Sequence, residues 1–348
     1  MKIGRFVIDG HIHCGKKDAA KKDSKTGGIW AEVESVDNSD MIIYDMDTYG
    51  VDMGLLLPSF IGTTNEKHME IVKRHPDRFR TCCMDTTTRI RAAHGEIEWN
   101  IKYSIDEISK VLDDNPGFFA GIGEFAPGCM GTVRKPPTVE QRYDEYLAIA
   151  ELAMAYDIPF YFHEYQDPTS PLDRHAAFQV MTRVIQKYPE LKVIVPHGGG
   201  WTVPDIQETV DFASRGLNVY LETGYWRAEY YEIALKDPQM GAGRLIWGGG
   251  DTGSRLWYPQ ATRPGLRYVE PTKVWYNRRN WTPERREANY QPDFYGWPIR
   301  QIGRLIDLDL CTQDEINLIV GGNAARVYKF PVPELCTFAN DRPDLLLD

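Results

Sequence analysis

The sequence predicts an α/β fold in which eight parallel strands and their helices form one (β/α)8 barrel, the TIM-barrel architecture. Eight short apolar segments rich in β-forming residues alternate with segments of helical pattern between residues 6 and 251. Eight such units within 348 residues favour a closed barrel. A doubly wound open sheet is the alternative, and it is weakened because no GxGxxG motif follows the first strand.

The first half of the predicted barrel contains four strands. Phe6, Val7 and Ile8 form an apolar run that ends at Asp9-Gly10, which is typical of a buried strand. A helix predicted over 65–74 ends before His75-Pro76, because proline disfavours helical backbone in the residue before it. The other predicted strands cover 53–58, 79–85 and 118–125, and the other predicted helices cover 40–49 and 105–112.

The second half repeats this alternation. Residues 139–156 have the clearest amphipathic helical pattern in the chain. Strands are predicted at 158–163, 191–197, 217–223 and 244–251, and helices at 176–187, 205–214 and 227–235. Two further helices are expected at 299–305 and 313–320, where Gly321-Gly322 should end the second and Asn323 should cap the next.

We predict a single domain over residues 1–330, with a long insertion at 252–297 after strand eight and a C-terminal tail at 331–348. The insertion is rich in Trp, Tyr and Arg, and a loop of this length is usually a lid or an interface. It could offer Arg to a substrate carboxylate or contact another subunit, and both interpretations stay open. Trp201 and Arg255 are the predicted substrate contacts.

The overall charge excludes several classes of protein. A formal charge of -10 and a pI near 5.4 argue against nucleic-acid binding, which needs clustered positive charge. No apolar run approaches the ~18 to 20 residues that span a bilayer, and the N-terminus has no pattern of a signal peptide. We therefore expect a cytoplasmic protein that binds neither a membrane nor nucleic acid.

Polar side chains stand at the carboxyl ends of the predicted strands. His11 and His13 are two apart on extended backbone, so both project to one side and suit two nitrogen ligands of one divalent metal. The other candidates, one from each of four later strands, are Glu124, His163, His197 and Asp251. In a barrel these ends meet at one face, where catalytic residues collect. The remaining histidines are predicted to be solvated: His68, His75, His94 and His175.

Four motifs resemble those of the amidohydrolase superfamily: the H-x-H pair, His197-Gly-Gly-Gly, Asp251 after Gly248-Gly-Gly, and the segment Gly321-Gly-Asn-Ala-Ala-Arg-Val-Tyr-Lys. More narrowly, they resemble its amidohydrolase-2 branch, which is typified by aminocarboxymuconate semialdehyde decarboxylase. The resemblance covers residues 7–330 and implies a metal-dependent TIM-barrel enzyme. That branch includes hydrolases, lactonases, hydratases and non-oxidative decarboxylases, so the reaction stays open.

The resemblance implies two alternative metal arrangements. In the decarboxylase pattern, one metal takes His11, His13, His163 and Asp251, and His197 is the acid/base. In the dinuclear pattern of the superfamily's hydrolases, Glu124 bridges two ions. One ion is then held by His11, His13, Glu124 and Asp251, and the other by Glu124, His163 and His197. The remaining interpretation is that Glu124 does not bind a metal and only orients a ligand histidine. We favour the dinuclear arrangement.

Under the dinuclear arrangement the predicted reaction is hydrolysis. Water would attack the polarised carbon of an amide, ester or related group in a small-molecule substrate. Two cations would lower the pKa of a shared water, and Asp251 would accept its proton. Zinc is the default metal for this N/O site, and iron or manganese is also suitable. The alternatives are a mononuclear decarboxylase or hydratase and a dinuclear iron/manganese oxygenase similar to 2-aminoisobutyrate hydroxylase. A homo-oligomer, or a hetero-oligomer with a related subunit, is expected.

Overall fold

The computed structural model has eight strands, all parallel, in one sheet whose order follows the chain from the first strand to the eighth. It describes residues 2–14, 37, 39–58, 64–128, 135, 137–163, 172, 174–200, 202–224, 226–249 and 295–333. Gly10 N donates to the carbonyl of Trp247 at 2.9 Å, a hydrogen bond that joins the first strand to the residue after the eighth. The predicted (β/α)8 barrel is confirmed.

The strands and helices alternate as the sequence predicts. The strands are β1 Ile8–Ile12, β2 Met53–Leu56, β3 Phe79–Cys83, β4 Phe119–Phe125, β5 Phe160–Phe162, β6 Val193–Val195, β7 Val219–Glu222 and β8 Leu245–Ile246. The helices are α1 Ser39–Tyr49, α2 Asn65–Arg74, α3 Thr86–Ala93, α4 Ile101–Asp114, α5 Val139–Ala155, α6 Arg174–Lys187, α7 Val203–Ala213, α8 Ala228–Lys236, α9 Gly296–Asp307, α10 Gln313–Asn317 and α11 Asn323–Tyr328.

The described residues contain two apolar clusters. The larger cluster contains side chains of the strands and of the helices that cover them. In the smaller cluster, Tyr161, Ile194 and Tyr220 of three strands pack with Ala324 and Tyr328 of α11. Alternate residues of a strand point to opposite faces, so the residue two positions after Tyr220 in β7 faces the same side as Tyr220.

Two local predictions in the first half of the barrel are wrong. β1 extends to Ile12, so His11 lies within the strand and not after it. The helix Thr86–Ala93 was not predicted because its β-branched start has low helix propensity. A tertiary contact stabilises its first turn, where the carboxylate of Glu107 accepts from the backbone N–H groups of Thr87 and Thr88 at 2.8 and 2.7 Å.

Gly321 and Gly322 do not end the helix before them. Residues Leu318–Gly322 form a π-helical turn that runs directly into α11. Asn323 has helical φ and ψ angles and is not an N-cap. Its side-chain amide instead donates to the carbonyls of Ala242 and Leu245, at 2.7 and 2.8 Å. The asparagine therefore anchors this helix to the start of β8, a contact that local sequence cannot reveal.

Each helix of the described residues is too short or too polar to span a bilayer.

We expect the free energy of unfolding to depend on pH through Asp157. Hydrogen bonds from Lys192 and then Lys329 lower the pKa of this carboxyl to about 2. Because the folded pKa lies below the unfolded value of about 3.9, the stabilisation is present above about pH 4 and is lost as pH falls toward about 2. The side chain is 68% exposed, so the ion pairs stabilise the fold by only about 0.2–1 kcal/mol.

Urea unfolding of Asp157→Asn and the wild type measures this contribution. Asparagine is matched in size and tolerates the positive φ of 49° at this position. The variant should be less stable at neutral pH, and the difference should shrink as the pH approaches about 3. A difference that stays constant with pH would contradict the assignment.

Candidate metal centre

The structure brings together five of the six predicted ligands at the carboxyl ends of the strands. They are His11 in β1, His13 just after it, Glu124 in β4, His163 after β5 and His197 after β6. The four histidines are buried, and the Glu124 side chain is 11% exposed. Asp251 lies outside the described residues, as do the predicted substrate contacts Trp201 and Arg255 and nearly all of the insertion.

Glu124 lies between two histidine pairs. Its Oε1 atom is 3.0 Å from His163 Nε2 and 3.6 Å from His197 Nε2. On the other side, its Oε2 atom is 3.4 Å from His13 Nε2, and Oε1 is 3.9 Å from His11 Nε2. Each pair thus forms, with Glu124, a group whose ligand atoms lie within 4.8 Å of one another.

The protons on His11 and His13 are assigned from their outer partners. His11 Nδ1 lies 3.0 Å from the carboxylate of Glu222, and His13 Nδ1 lies 3.2 Å from the carbonyl oxygen of Leu57. Both partners are acceptors, so each Nδ1 carries a proton, and an Nε2 atom that carries none presents a lone pair. The two Nε2 atoms are 3.1 Å apart. Where neither Nε2 carries a proton, the two lone pairs face each other at this distance and repel, and a cation between them removes the repulsion.

The charge state of Glu124 also suits a cation. Burial alone would raise its pKa, but His163 and His11 outweigh that effect and hold the pKa well below the usual range. Its Oε1 atom is buried, and although His163 Nε2 lies 3.0 Å away, it makes no hydrogen bond of suitable geometry with the residues described. A buried anionic oxygen without such a bond, surrounded by imidazole nitrogens, fits a metal ligand better than a structural acceptor.

The backbone at His197 adopts a conformation that few non-glycine residues take. His197 has φ 53°, in the left-handed region, within a short 3-10 turn, Pro196–Gly199. Its N–H donates to Glu222 Oε2 at 2.9 Å, and its carbonyl accepts from Trp226 Nε1 at 3.1 Å. These two bonds stabilise the turn that directs the imidazole toward Glu124.

Glu222 is the site residue that the sequence analysis missed. It is the last residue of β7, fully buried, and it contacts both His11 and His197. Its pKa would be raised by burial, and the neighbouring His11 and His197 lower it below the ordinary value. A signal was available: Glu222 ends a predicted strand, as Glu124 does, and stands two residues after the inward-facing Tyr220.

Asp9 connects the ends of two strands beside the site. This buried carboxylate accepts from the backbone N–H groups of His11 at 3.0 Å and Gly249 at 2.8 Å. Its other oxygen accepts from the Tyr295 hydroxyl at 2.8 Å. Gly249 is the last described residue after β8, and Asp9 fixes its backbone.

His68 corrects one prediction. It is fully buried and not solvated, and its ring nitrogens lie 3.1 Å from Thr81 Oγ1 and 3.1 Å from the carbonyl oxygen of Cys14. His75 is partly buried, whereas His94 and His175 are exposed. His68 therefore supports the chain just after the H-x-H pair, although it lies in α2 and contributes no ligand atom to the groups described above.

A comparison with protein families shows which family this chain belongs to. The amidohydrolase family model, Amidohydro_2, matches residues 8–330. The chain belongs to the amidohydrolase family. The match covers the whole barrel and confirms the predicted resemblance. A search of curated proteins gives no match.

Solved structures share the amidohydrolase fold at low sequence identity. A probable 2-pyrone-4,6-dicarboxylic acid hydrolase from Acinetobacter baumannii, with citric acid bound, is 14% identical, with a TM-score of 0.54 over 93% of this chain and 99% of that chain. An amidohydrolase from Burkholderia multivorans, with bound zinc, is 10% identical, with a TM-score of 0.55 over 94% and 100% of the two chains. An uncharacterised TIM-barrel protein from Bordetella bronchiseptica is 16% identical, with a TM-score of 0.51 over 93% and 98%.

Proposed function

We propose that this amidohydrolase is a metal-dependent hydrolase whose two ions share Glu124. The observation that carries the proposal is the position of this carboxylate between His11 with His13 on one side and His163 with His197 on the other. A bridging carboxylate needs ligands on both sides. One that only orients a histidine needs a single partner.

The same geometry argues against the mononuclear arrangement. That arrangement requires His11, His13 and His163 around one ion, and the three-residue groups found among the described residues do not include this combination. His163 instead groups with His197 and Glu124, and His197 also groups with His11 and Glu222. The grouping therefore favours His197 as a ligand of a second ion over an acid/base without metal.

The side chains have distinct tasks in the proposed hydrolysis. Divalent ions in such a donor set act as Lewis acids and lower the pKa of water toward neutrality. Glu222 and the Leu57 carbonyl orient His11 and His13, and Glu124 supplies negative charge between the pairs. We propose Asp251, which the sequence places at the end of strand eight, as the group that accepts a proton from water and returns it to the leaving group.

We propose zinc as the metal, since imidazole nitrogens and carboxylate oxygens are ordinary zinc ligands. The same donors suit iron and manganese, so metal analysis has to decide. We further propose a small substrate that carries a carboxylate. The Arg-rich sequence of residues 252–297 supports this substrate class, with Arg255 and Trp201 as contacts, and also supports an oligomeric protein.

Elemental analysis of protein purified without added metal, followed by assays on a panel of lactones, esters and amides, tests the proposal. We expect close to two zinc ions per chain and metal-dependent hydrolysis of at least one carboxylate-bearing substrate. If the protein instead contained iron or manganese and consumed oxygen when a reductase was supplied, the proposed hydrolysis would be wrong and the enzyme would be an oxygenase. Carbon dioxide release from an aromatic or dienoic acid, with one ion per chain, would replace it by decarboxylation.

A further inference from the structure

We infer that Glu222 is a positioning residue shared by the two histidine pairs, so that one buried carboxylate sets the geometry of both proposed metal sites. This inference rests on the proposed dinuclear site. Glu222 contacts His11, from the first pair, and His197, from the second. It is distinct from Glu124, which offers its oxygens to the Nε2 atoms at the centre of the site.

A single oxygen atom makes both connections. Glu222 Oε2 lies 3.0 Å from His11 Nδ1 and accepts from the His197 backbone N–H at 2.9 Å. The His197 Nδ1 atom is 3.7 Å from the same oxygen. The other oxygen, Oε1, accepts from the Gly224 N–H at 2.5 Å. Both oxygens therefore accept bonds, and the carboxylate cannot rotate without losing them.

The surrounding chain leaves room for this carboxylate and for little else. A methyl group on Gly248 would overlap Glu222 Oε1 and lie 2.8 Å from Glu222 Cδ. A methyl group on Gly224 would lie 2.9 Å from Oε1 and 3.2 Å from His197 Nδ1. Gly224 and Gly248, each two residues after the end of a strand, thus lie close around the carboxylate. The backbone after β7 and after β8 therefore sets the position of Glu222.

Glutamine is the informative replacement because it keeps the size and changes the hydrogen bonding. Each Glu222 oxygen faces donors, and the side-chain amide in Glu222→Gln would put its own N–H groups against one set of them. Either the Gly224 bond or the bonds to His11 and His197 would be lost. Replacing a hydrogen-bond partner of a metal ligand typically weakens metal binding about 10- to 100-fold.

Competition titrations with a chromophoric chelator should measure both metal dissociation constants in Glu222→Gln and wild type. We expect both ions to bind about 10- to 100-fold more weakly in the variant. Nitrogen NMR of the metal-free protein should show His11 changing from the Nδ1–H tautomer to a mixture, a change that loss of stability alone does not cause. Glu222→Asp, which keeps the charge one methylene farther away, should also weaken both ions and serves if the glutamine variant does not fold.

Tyr231→Phe is the matched control. It removes a buried hydrogen bond to Thr223 Oγ1 at 2.6 Å, one residue from Glu222, and keeps the aromatic ring. Its metal affinities should equal those of the wild type. The inference would be overturned if the Glu222 variants bound only one of the two ions more weakly, or bound both ions as tightly as the wild type. A wild type that binds two ions but hydrolyses no substrate would contradict the proposed reaction and leave this inference standing.

Discussion

Glu124→Gln is expected to leave at most one ion per chain and to reduce turnover by more than the ~100-fold typical of residues outside the metal shell. Glu124 Oε1 lies 3.0 Å from His163 Nε2, and Oε2 lies 3.4 Å from His13 Nε2, so this carboxylate touches both pairs. The neutral amide offers one acceptor oxygen in place of two and removes the negative charge between the ions. Elemental analysis and steady-state kinetics on the same preparation measure both effects.

A control for Glu124→Gln is Glu229→Gln, which makes the same chemical change on the surface. Glu229 pairs with Arg304 at 3.1 Å on the outer helices α8 and α9. Metal content and turnover should be unchanged in this variant. If Glu124→Gln retained two ions and full turnover, the bridging role would have to be abandoned.

Gly198→Ala is expected to lower the free energy of unfolding by about 2 to 5 kcal/mol and to weaken metal binding with it. Gly198 has φ 54°, which costs any L-residue about 1–2 kcal/mol. An added methyl group would also overlap three atoms of the Trp226 indole, and overpacking costs typically about 1–3 kcal/mol. Since Trp226 Nε1 donates to the His197 carbonyl, moving the indole also moves the turn that carries the histidine.

Urea unfolding measures the effect of this substitution, and Gly303→Ala is the matched control. Gly303 lies within α9, and a methyl group there meets no atom within 4 Å. The control should be as stable as the wild type or more stable by about 0.5–1 kcal/mol, because alanine is the better helix former. Equal stability of the two alanine variants would show that the turn after β6 adapts to the added methyl group.

Much of the site could be predicted because parallel strands end on one face of a barrel. His11, Glu124, His163 and His197 each end a predicted strand or follow one, and the structure brings them together. Glu222 ends a strand in the same way, but neither metal arrangement that the resemblance implies includes a residue of strand seven. The prediction for His68 was wrong because its burial depends on contacts outside α2, with Thr81 and Cys14, which are 13 and 54 residues away in the chain.

The sequence by itself determined the order of strands and helices and the kinds of ligand atom at the strand ends. These follow from short-range patterns and from the convergence of strand ends in any parallel barrel. Only the tertiary structure decided which imidazole nitrogen carries a proton and which carboxylate serves two histidines. Those properties depend on contacts such as that of Glu222 with His11, 211 residues away in the chain, and on the protons that such acceptors hold.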